Sequence, residues 1–281
     1  DFTVGASISD VLNVGASLSV TDLFYEIYSE NKEDLPTPNN NFNLTNFLES
    51  TGNGIGVKIG LIYRPIHSLR LGLSYHSPTW YKMTDTYAAK LAHQVPDYIP
   101  SDVADDIEGG YKAGVGVVDT RDDDRGYFVD DYDFKTPDKW TASAALVLGR
   151  DMILSLDYEL TNYGSMKYST RSGSYLDDLG NHDFTNEVIR DDFKTSSTIR
   201  TGFEYRFTPQ FYGRLGYAWM QNPYDKTLVD LGDAIITDAR SAFIVEGDTN
   251  HFTGGIGYRF NRFFYADFAM VFKSQKDDLY S

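Results

Sequence analysis

GIGVKIGLIYRPIHSLRLGLSYHSPTWYKM, residues 54–83, alternates strictly on both sides of a short turn. Ile55, Val57, Ile59, Leu61 and Tyr63 share one face of the first run, and Gly54, Gly56, Lys58, Gly60 and Arg64 take the other. Residues 65–68 turn the chain. In the second run Leu69, Leu71, Leu73 and Tyr75 face one way, and Arg70, Gly72, Ser74 and His76 the other. Period-two alternation across a tight connection predicts an antiparallel β-hairpin. Its apolar face is aliphatic in the middle, with Tyr63 near the turn and Tyr75 and Trp80 at the far end. A strand pair shows lipid such an aliphatic band between aromatic rings, because Tyr and Trp sit at headgroup level. The opposite face is too polar and glycine-rich for a packed core. The stretch predicts a hairpin of an outer-membrane barrel.

Working outward, the same alternation returns in pairs at 2–8 with 13–20, 140–148 with 152–161, 199–207 with 211–220, and 252–260 with 264–272. That predicts ten strands in five hairpins. Each hairpin closes over two to four residues, whereas long polar stretches separate the hairpins, at about 31–52, 84–135, 167–196 and 221–250. Short turns at one end and long loops at the other describe an antiparallel up-and-down transmembrane barrel, turns periplasmic and loops outside. A β-sandwich has no reason to sort its connections this way. The pattern Gly-x-x-Tyr-Arg-(Pro or Phe) recurs at 60–65, 202–207 and 255–260, each time ending a strand that enters a short turn. Pro65 and Pro209 fall in turns and Pro137 at a strand start, where a sheet tolerates them.

Composition agrees. The 281 residues carry a formal net charge of −16, no cysteine, 24 glycines, 21 tyrosines and 18 phenylalanines. The mean hydropathy of −0.38 does not oppose a membrane location, because a barrel strand needs only alternate residues apolar. No apolar run approaches the about 20 residues of a spanning helix, and the best candidate, 263–272, is broken by Asp267. Acidity of this size argues against nucleic acid as a partner.

The stretch GLIYRPIHSLRLGLSYHSP (60–78) resembles a hairpin of the FadL-like outer-membrane transporters of long-chain fatty acids and other hydrophobic compounds. In those a Tyr-Arg-Pro turn precedes a strand ending in Ser-Tyr-x-Ser-Pro. Residues 136–163, 200–219 and 252–272 are similar to further parts of the family, in order. The resemblance implies a barrel of about 14 strands, an N-terminal hatch in the lumen, and a kinked strand that opens sideways to the bilayer. It implies a Gram-negative outer-membrane location, no cofactor, passive transport without catalysis, and a monomer among outer-membrane lipid and lipopolysaccharide. The hatch and a closing strand are not in the sequence. One barrel domain, incomplete at both ends, is therefore expected, with a complete ten-stranded barrel as the rival.

Inward positions collect charge: Arg70, His76, Asp157, Glu159, Arg200, Glu204, Arg206, Arg214, Arg259 and Asp267. They either pair across strands or offer a cation to the carboxylate of a fatty-acid-like ligand. Arg70, His76, Arg200, Arg206 and Arg214 are the candidate ligand-binding residues. A binding or scaffold barrel, such as a secretion accessory or haem receptor, is the alternative. An outer-membrane hydrolase rests only on Ser74 near His76, which lacks a placed orienting acid. The acidic run 119–133 lacks EF-hand spacing, leaving a solvated loop or a loose Ca²⁺ or Mg²⁺ site, and the five scattered histidines give no metal spacing. Phe42, Phe47, Leu48, Tyr87, Leu91, Tyr98 and Ile99 give the loops an apolar content suited to a landing site or to packing the loops together.

Overall fold

A computed structural model describes residues 1–34, 41–95, 114–122, 127–171, 182–225 and 243–280. The chain begins with β1 (Phe2–Ser7), β2 (Leu12–Asp34), β3 (Asn41–Ile66), β4 (Leu69–His76), β5 (Trp80–Val95), β6 (Gly114–Asp119), β7 (Phe128–Lys135) and β8 (Lys139–Leu148). It continues through β9 (Met152–Asn162), β10 (Lys167–Thr170) and the helix α1 (Asp183–Asp192). Then come β11 (Thr195–Arg206), β12 (Phe211–Met220), β13 (Phe243–Val245), β14 (Thr249–Arg259), β15 (Tyr265–Gln275) and β16 (Asp278–Tyr280). Fourteen of these strands form one sheet, and β13 pairs with β16 apart from it.

Near the short turns the order is β1-β2-β3-β4-β8-β9-β11-β12-β14-β15, each antiparallel to its neighbours. These are the ten predicted strands in the predicted up-and-down order. Among the described residues β1 and β15 do not pair with each other, so the sheet is not closed.

The register fixes the two faces. One rung runs Val14, Leu61, Leu73, Ala142, Tyr158, Ile199, Trp219 across seven strands, all apolar. The neighbouring rung runs Gly15, Gly60, Ser74, Thr141, Glu159, Thr198, all small or polar. Side chains alternate along a strand, so the first set faces lipid and the second the lumen. On β2 the lipid-facing set runs from Leu12 to Val20 and then gives way to Asp22. Those nine residues match the about nine to eleven that a tilted spanning strand needs. Tyr75 packs on Trp140 at the outer edge of this band, ring centroids 4.6 Å apart, as the belt predicts.

Above that belt the structure departs from expectation. Residues 31–34 and 41–52 are not loop: β2 and β3 stay paired from Asp22 opposite Asn53 up to Asp34 opposite Asn41. The predicted loop 84–135 contains most of β5, all of β6 and β7, and a short 3-10 turn at Thr120–Asp122. The predicted loop 167–196 contains β10 and α1, and 221–250 contains β13 and the start of β14. Polar residues here read as loop because both faces of a strand standing in water tolerate them. What persists is ladder hydrogen bonding, which composition does not report.

Three strands are interrupted at this level. Ser77-Pro78-Thr79 separates β4 from β5, residues 136–138 separate β7 from β8, and residues 163–166 separate β9 from β10. Lys58 pairs with His76 and Ile55 with Trp80, so three residues of one strand oppose two of the other. This is a bulge, and it inverts the parity. Even-numbered residues face the lumen on β4, odd-numbered ones on β5. The bulge is stitched on both sides. Val57 N–H donates to Ser77 Oγ at 2.9 Å and Ser77 N–H to Val57 O at 2.8 Å. Thr79 N–H donates to Thr136 Oγ1 at 2.8 Å and Thr136 N–H to Thr79 O at 3.1 Å. Pro137 sits inside the second break, just before β8, where its missing N–H loses no ladder bond.

Candidate ligand-binding site

The inward face divides into a charged lower wall and an apolar upper wall. Below the breaks, one rung sets Ser17, Lys58, His76 and Lys139 side by side. Lys139 Nζ lies 3.1 Å from Glu159, which also takes Arg200 Nη1 at 3.1 Å. Farther round, Arg214 Nε donates to Glu204 at 2.7 Å, its guanidinium lies over the Tyr212 ring at 4.6 Å, and the Tyr212 hydroxyl donates to Asp267. Two hollows open on this face. One of about 560 Å³ is lined by Ser17, Lys58, Gly60, Ser74, His76 and Ser143, and one of about 460 Å³ by Asp157, Arg200, Glu204, Tyr212, Arg214 and Asp267.

All five candidate cations take inward positions, but the structure does not bring them together. Arg200 and Arg214 are held by carboxylates on adjacent strands, the cross-strand pairing any polar lumen needs. His76 lies in the Lys58–Lys139 row. Arg70 and Arg206 lie near the short turns, and neither makes an ion pair among the described residues. Ser74 and His76 share the inward face of β4 with no hydrogen bond between them among the described residues.

Above the breaks the inward face changes character. Gly52 and Gly54 leave room for side chains of β5 to lie across β3: a Cβ on Gly52 would collide with Met83 Sδ, and one on Gly54 would stand 2.5 Å from the Tyr81 ring. Met83 and Tyr132 are buried, with Tyr168, Phe134 and His182 around them at ring-centroid distances between 4.7 and 5.8 Å. The Tyr132 hydroxyl donates to the Asp85 carboxylate at 3.2 Å. Burial first, then the Asp85 charge, keeps that phenol protonated far above the ordinary range. Helix α1 closes on the cluster through Asn186, whose amide bonds the Tyr168 backbone at 2.8 and 2.9 Å. Higher still, Ile27, Leu48 and Tyr87 form one inward rung across β2, β3 and β5, and Leu44 and Leu91 stand on the rung above next. Ile27, Tyr87 and Leu91 are exposed.

This apolar ladder is what sequence reasoning misplaced. Leu48, Tyr87 and Leu91 are strand residues with a shared direction rather than loop residues, and so is Phe42, which pairs with His93. Phe47 faces the outside, against Tyr127. Tyr98 and Ile99 lie outside the described residues. Within the acidic run, Asp119 is held by Arg121 at 2.6 Å, and Asp131 and Asp133 face outward on β7 towards Arg171. No three or more acidic, histidine or cysteine side chains converge to hold a metal among the described residues.

The sequence profile of the family described as outer membrane protein transport protein (OMPP1/FadL/TodX) matches residues 2–279. The chain belongs to that family. This OMPP1/FadL/TodX membership fixes the setting of the two walls: a β-barrel in the Gram-negative outer membrane, in a family of transporters of hydrophobic compounds. No curated protein matches in sequence. Among solved structures, a Pseudomonas aeruginosa FadL homologue is similar with a TM-score of 0.59 and 14% identity. The match covers 98% of this chain and 58% of that one. The CymD monoaromatic hydrocarbon channel gives a TM-score of 0.52 at 14% identity over 98% of this chain and 67% of that one. A deletion mutant of the TodX monoaromatic hydrocarbon channel gives 0.52 at 16% identity, with 96% of this chain and 62% of that one covered. At these identities the likeness concerns fold, and the chain spans about three fifths to two thirds of each.

Proposed function

We infer that this chain is the wall of a single-domain, monomeric outer-membrane channel for passive uptake of hydrophobic small molecules such as long-chain fatty acids, embedded among outer-membrane lipid and lipopolysaccharide. The observation that carries this reading is the inward apolar ladder, Ile27, Leu44, Leu48, Tyr87 and Leu91, standing above a lumen lined with glycine, serine and charge. Exposed apolar side chains facing an aqueous entrance gain about 0.8 kcal/mol for each CH₂ of a ligand they remove from water. About ten residues of β3 separate Leu48 from Lys58, roughly 33 Å, longer than a fatty acid. Capture and carboxylate contact are therefore successive stations. The lower station is polar, and Arg70 and Arg206 are its cations without a carboxylate partner among the described residues, with the imidazole of His76 beside the lysine row as a further polar contact. Relatives named as monoaromatic hydrocarbon channels make aromatic hydrocarbons the rival cargo.

The test is uptake of labelled oleate and labelled toluene by cells whose only such channel is the full-length protein. Ile27→Asp with Tyr87→Asp is expected to reduce uptake of the true cargo at least about tenfold, the order of the burial lost from two side chains. Uptake of both compounds unchanged by deleting the whole protein would reject transport and favour a binding or scaffold barrel.

A further inference from the structure

Above the breaks, three neighbouring strands turn cations outward. Val20, Ile55, Trp80, Lys135 and Lys167 form one rung across β2, β3, β5, β7 and β10. Val20 ends the lipid-facing set of β2, which settles the face of the whole rung. On the next outward rung Lys82 stands between Asn53 and Asp133. Arg171 lies nearby, 3.9 Å from both Asp131 and Asp133. Lys82 and Lys167 are exposed and Lys135 is half-buried, and none of the three makes an ion pair among the described residues. The chain has 41 acidic and only 25 basic residues, so this patch runs against its composition. Its depth follows from the strands below. Trp80 follows Tyr75 across Ser77-Pro78-Thr79, and Lys135 precedes Trp140 across residues 136–138. The lysines therefore stand just above the Tyr75–Trp140 pair at the outer edge of the apolar band.

Beside that pair the outward face is concave. One outward rung, Val4, Ala16, Ile59, Tyr75 and Trp140, lines a hollow of about 500 Å³ whose walls are almost wholly apolar. Ala16 leaves the room at its centre. Aromatic rings mark where hydrocarbon ends and headgroups begin, and the long connections of such a barrel lie outside the cell. The lysines are then at the headgroup level of the outer leaflet, and the hollow lies among its acyl chains. Cations at a membrane surface attract anionic headgroups, and an ammonium donates short, strong hydrogen bonds to phosphate oxygens. We propose that Lys82, Lys135 and Lys167, with Trp80 and the hollow beside Tyr75 and Trp140, form a site for one lipopolysaccharide molecule. The lysines hold a phosphate of its lipid A, and the hollow seats one acyl chain. Phospholipid lies in the periplasmic leaflet, across the apolar band. The site rests on the outer-membrane setting and not on the cargo, so its failure would leave the uptake reading standing.

The full-length barrel, in nonionic detergent with a chelator, is titrated with bisphosphorylated lipid A, with its phosphate-free form and with phosphatidylglycerol. Bound lipid is counted by native mass spectrometry. The bisphosphorylated form is expected to bind at least about tenfold more tightly than either of the others. Lys82→Gln, Lys135→Gln and Lys167→Gln together are expected to erase that preference. Lys32→Gln with Lys90→Gln, outward but farther from the membrane, is expected to keep it. Ala16→Phe fills the hollow and is expected to weaken both forms of lipid A about equally. If the triple variant does not fold, salt raised from about 0.05 to about 0.5 M on the native barrel decides, since exposed charge pairs are screened and the preference is expected to collapse. A preference missing from the native barrel, retained by the folded triple variant, or indifferent to salt overturns the proposal. Phosphatidylglycerol bound as tightly as bisphosphorylated lipid A overturns it too, leaving a general patch for anionic lipid. So does a preference that needs added Mg²⁺, which would put the phosphates on Asp131 and Asp133 through the metal ion. An Ala16→Phe variant that binds lipid A as the native barrel does overturns the acyl-chain seat.

Discussion

Leu156→Arg is expected to lower the stability of the folded barrel by about 2–4 kcal/mol. Leu156 stands midway along β9, outward, on a rung with Ala144 and Thr201, and half of it is exposed. In water an exposed leucine changed to arginine costs almost nothing. In hydrocarbon the guanidinium at mid-depth has no partner and no route to either interface. Thr141→Arg supplies the contrast. It lies on the inward rung with Ser74 and Glu159, and is expected to shift stability by less than about 1 kcal/mol. Reversible urea unfolding in lipid vesicles measures both. Equal stabilities for the two variants would mean that the outward face does not touch lipid.

Inserting one alanine between Tyr81 and Lys82 is expected to dismantle the upper wall while sparing the lower one. The inserted residue then meets Asn53, Lys82 comes opposite Gly52 and Met83 opposite Thr51, so every residue of β5 beyond Tyr81 changes face. Met83 turns outward, and Lys82 turns towards the glycines of β3. Met83 is only 5% exposed, and losing a buried methionine alone costs about 2–5 kcal/mol. The same inversion breaks the match of β5 with β7, which pairs Met83 with Tyr132. Pro78→Ala keeps the residue count and is expected to cost less than about 1 kcal/mol. Proteolysis of intact cells separates the outcomes: the insertion variant should be cut within β5 and β7, the alanine variant should not. An insertion variant as resistant as the native protein would show that the residue count does not set the faces.

These two cases show what was legible in the sequence. Leu156 was readable because hydrocarbon imposes alternation, and alternation survives in any strand that crosses it. The ten strands, their order and their faces followed from that alone. Trp80 was also placed correctly on the lipid face, although it is even-numbered and Tyr75 odd, because its bulk announced an interface. The bulge that reconciles the two was not visible, since Ser-Pro-Thr reads equally as a strand end. Above the membrane the constraint disappears. Water accepts any side chain on either face, so β5, β6 and β7 passed for loop, and Leu48 and Tyr87 for scattered apolar residues. The charged residues were read as inward, as the register has them, but their pairing was not. Glu159 takes both Lys139 and Arg200, a choice made by register across three strands rather than by spacing in one.

The length of β2 and β3 has a consequence for the cell surface. Residues 22–34 rise roughly 40 Å along the strand beyond the last lipid-facing valine. Such a stalk lifts the mouth of the protein through the sugar coat anchored in the outer leaflet, so greasy cargo reaches it without first crossing that hydrated carbohydrate. A membrane-impermeant maleimide should then label Lys32→Cys on whole cells and leave Val20→Cys untouched. Labelling of both alike would mean that the stalk lies flat within the coat.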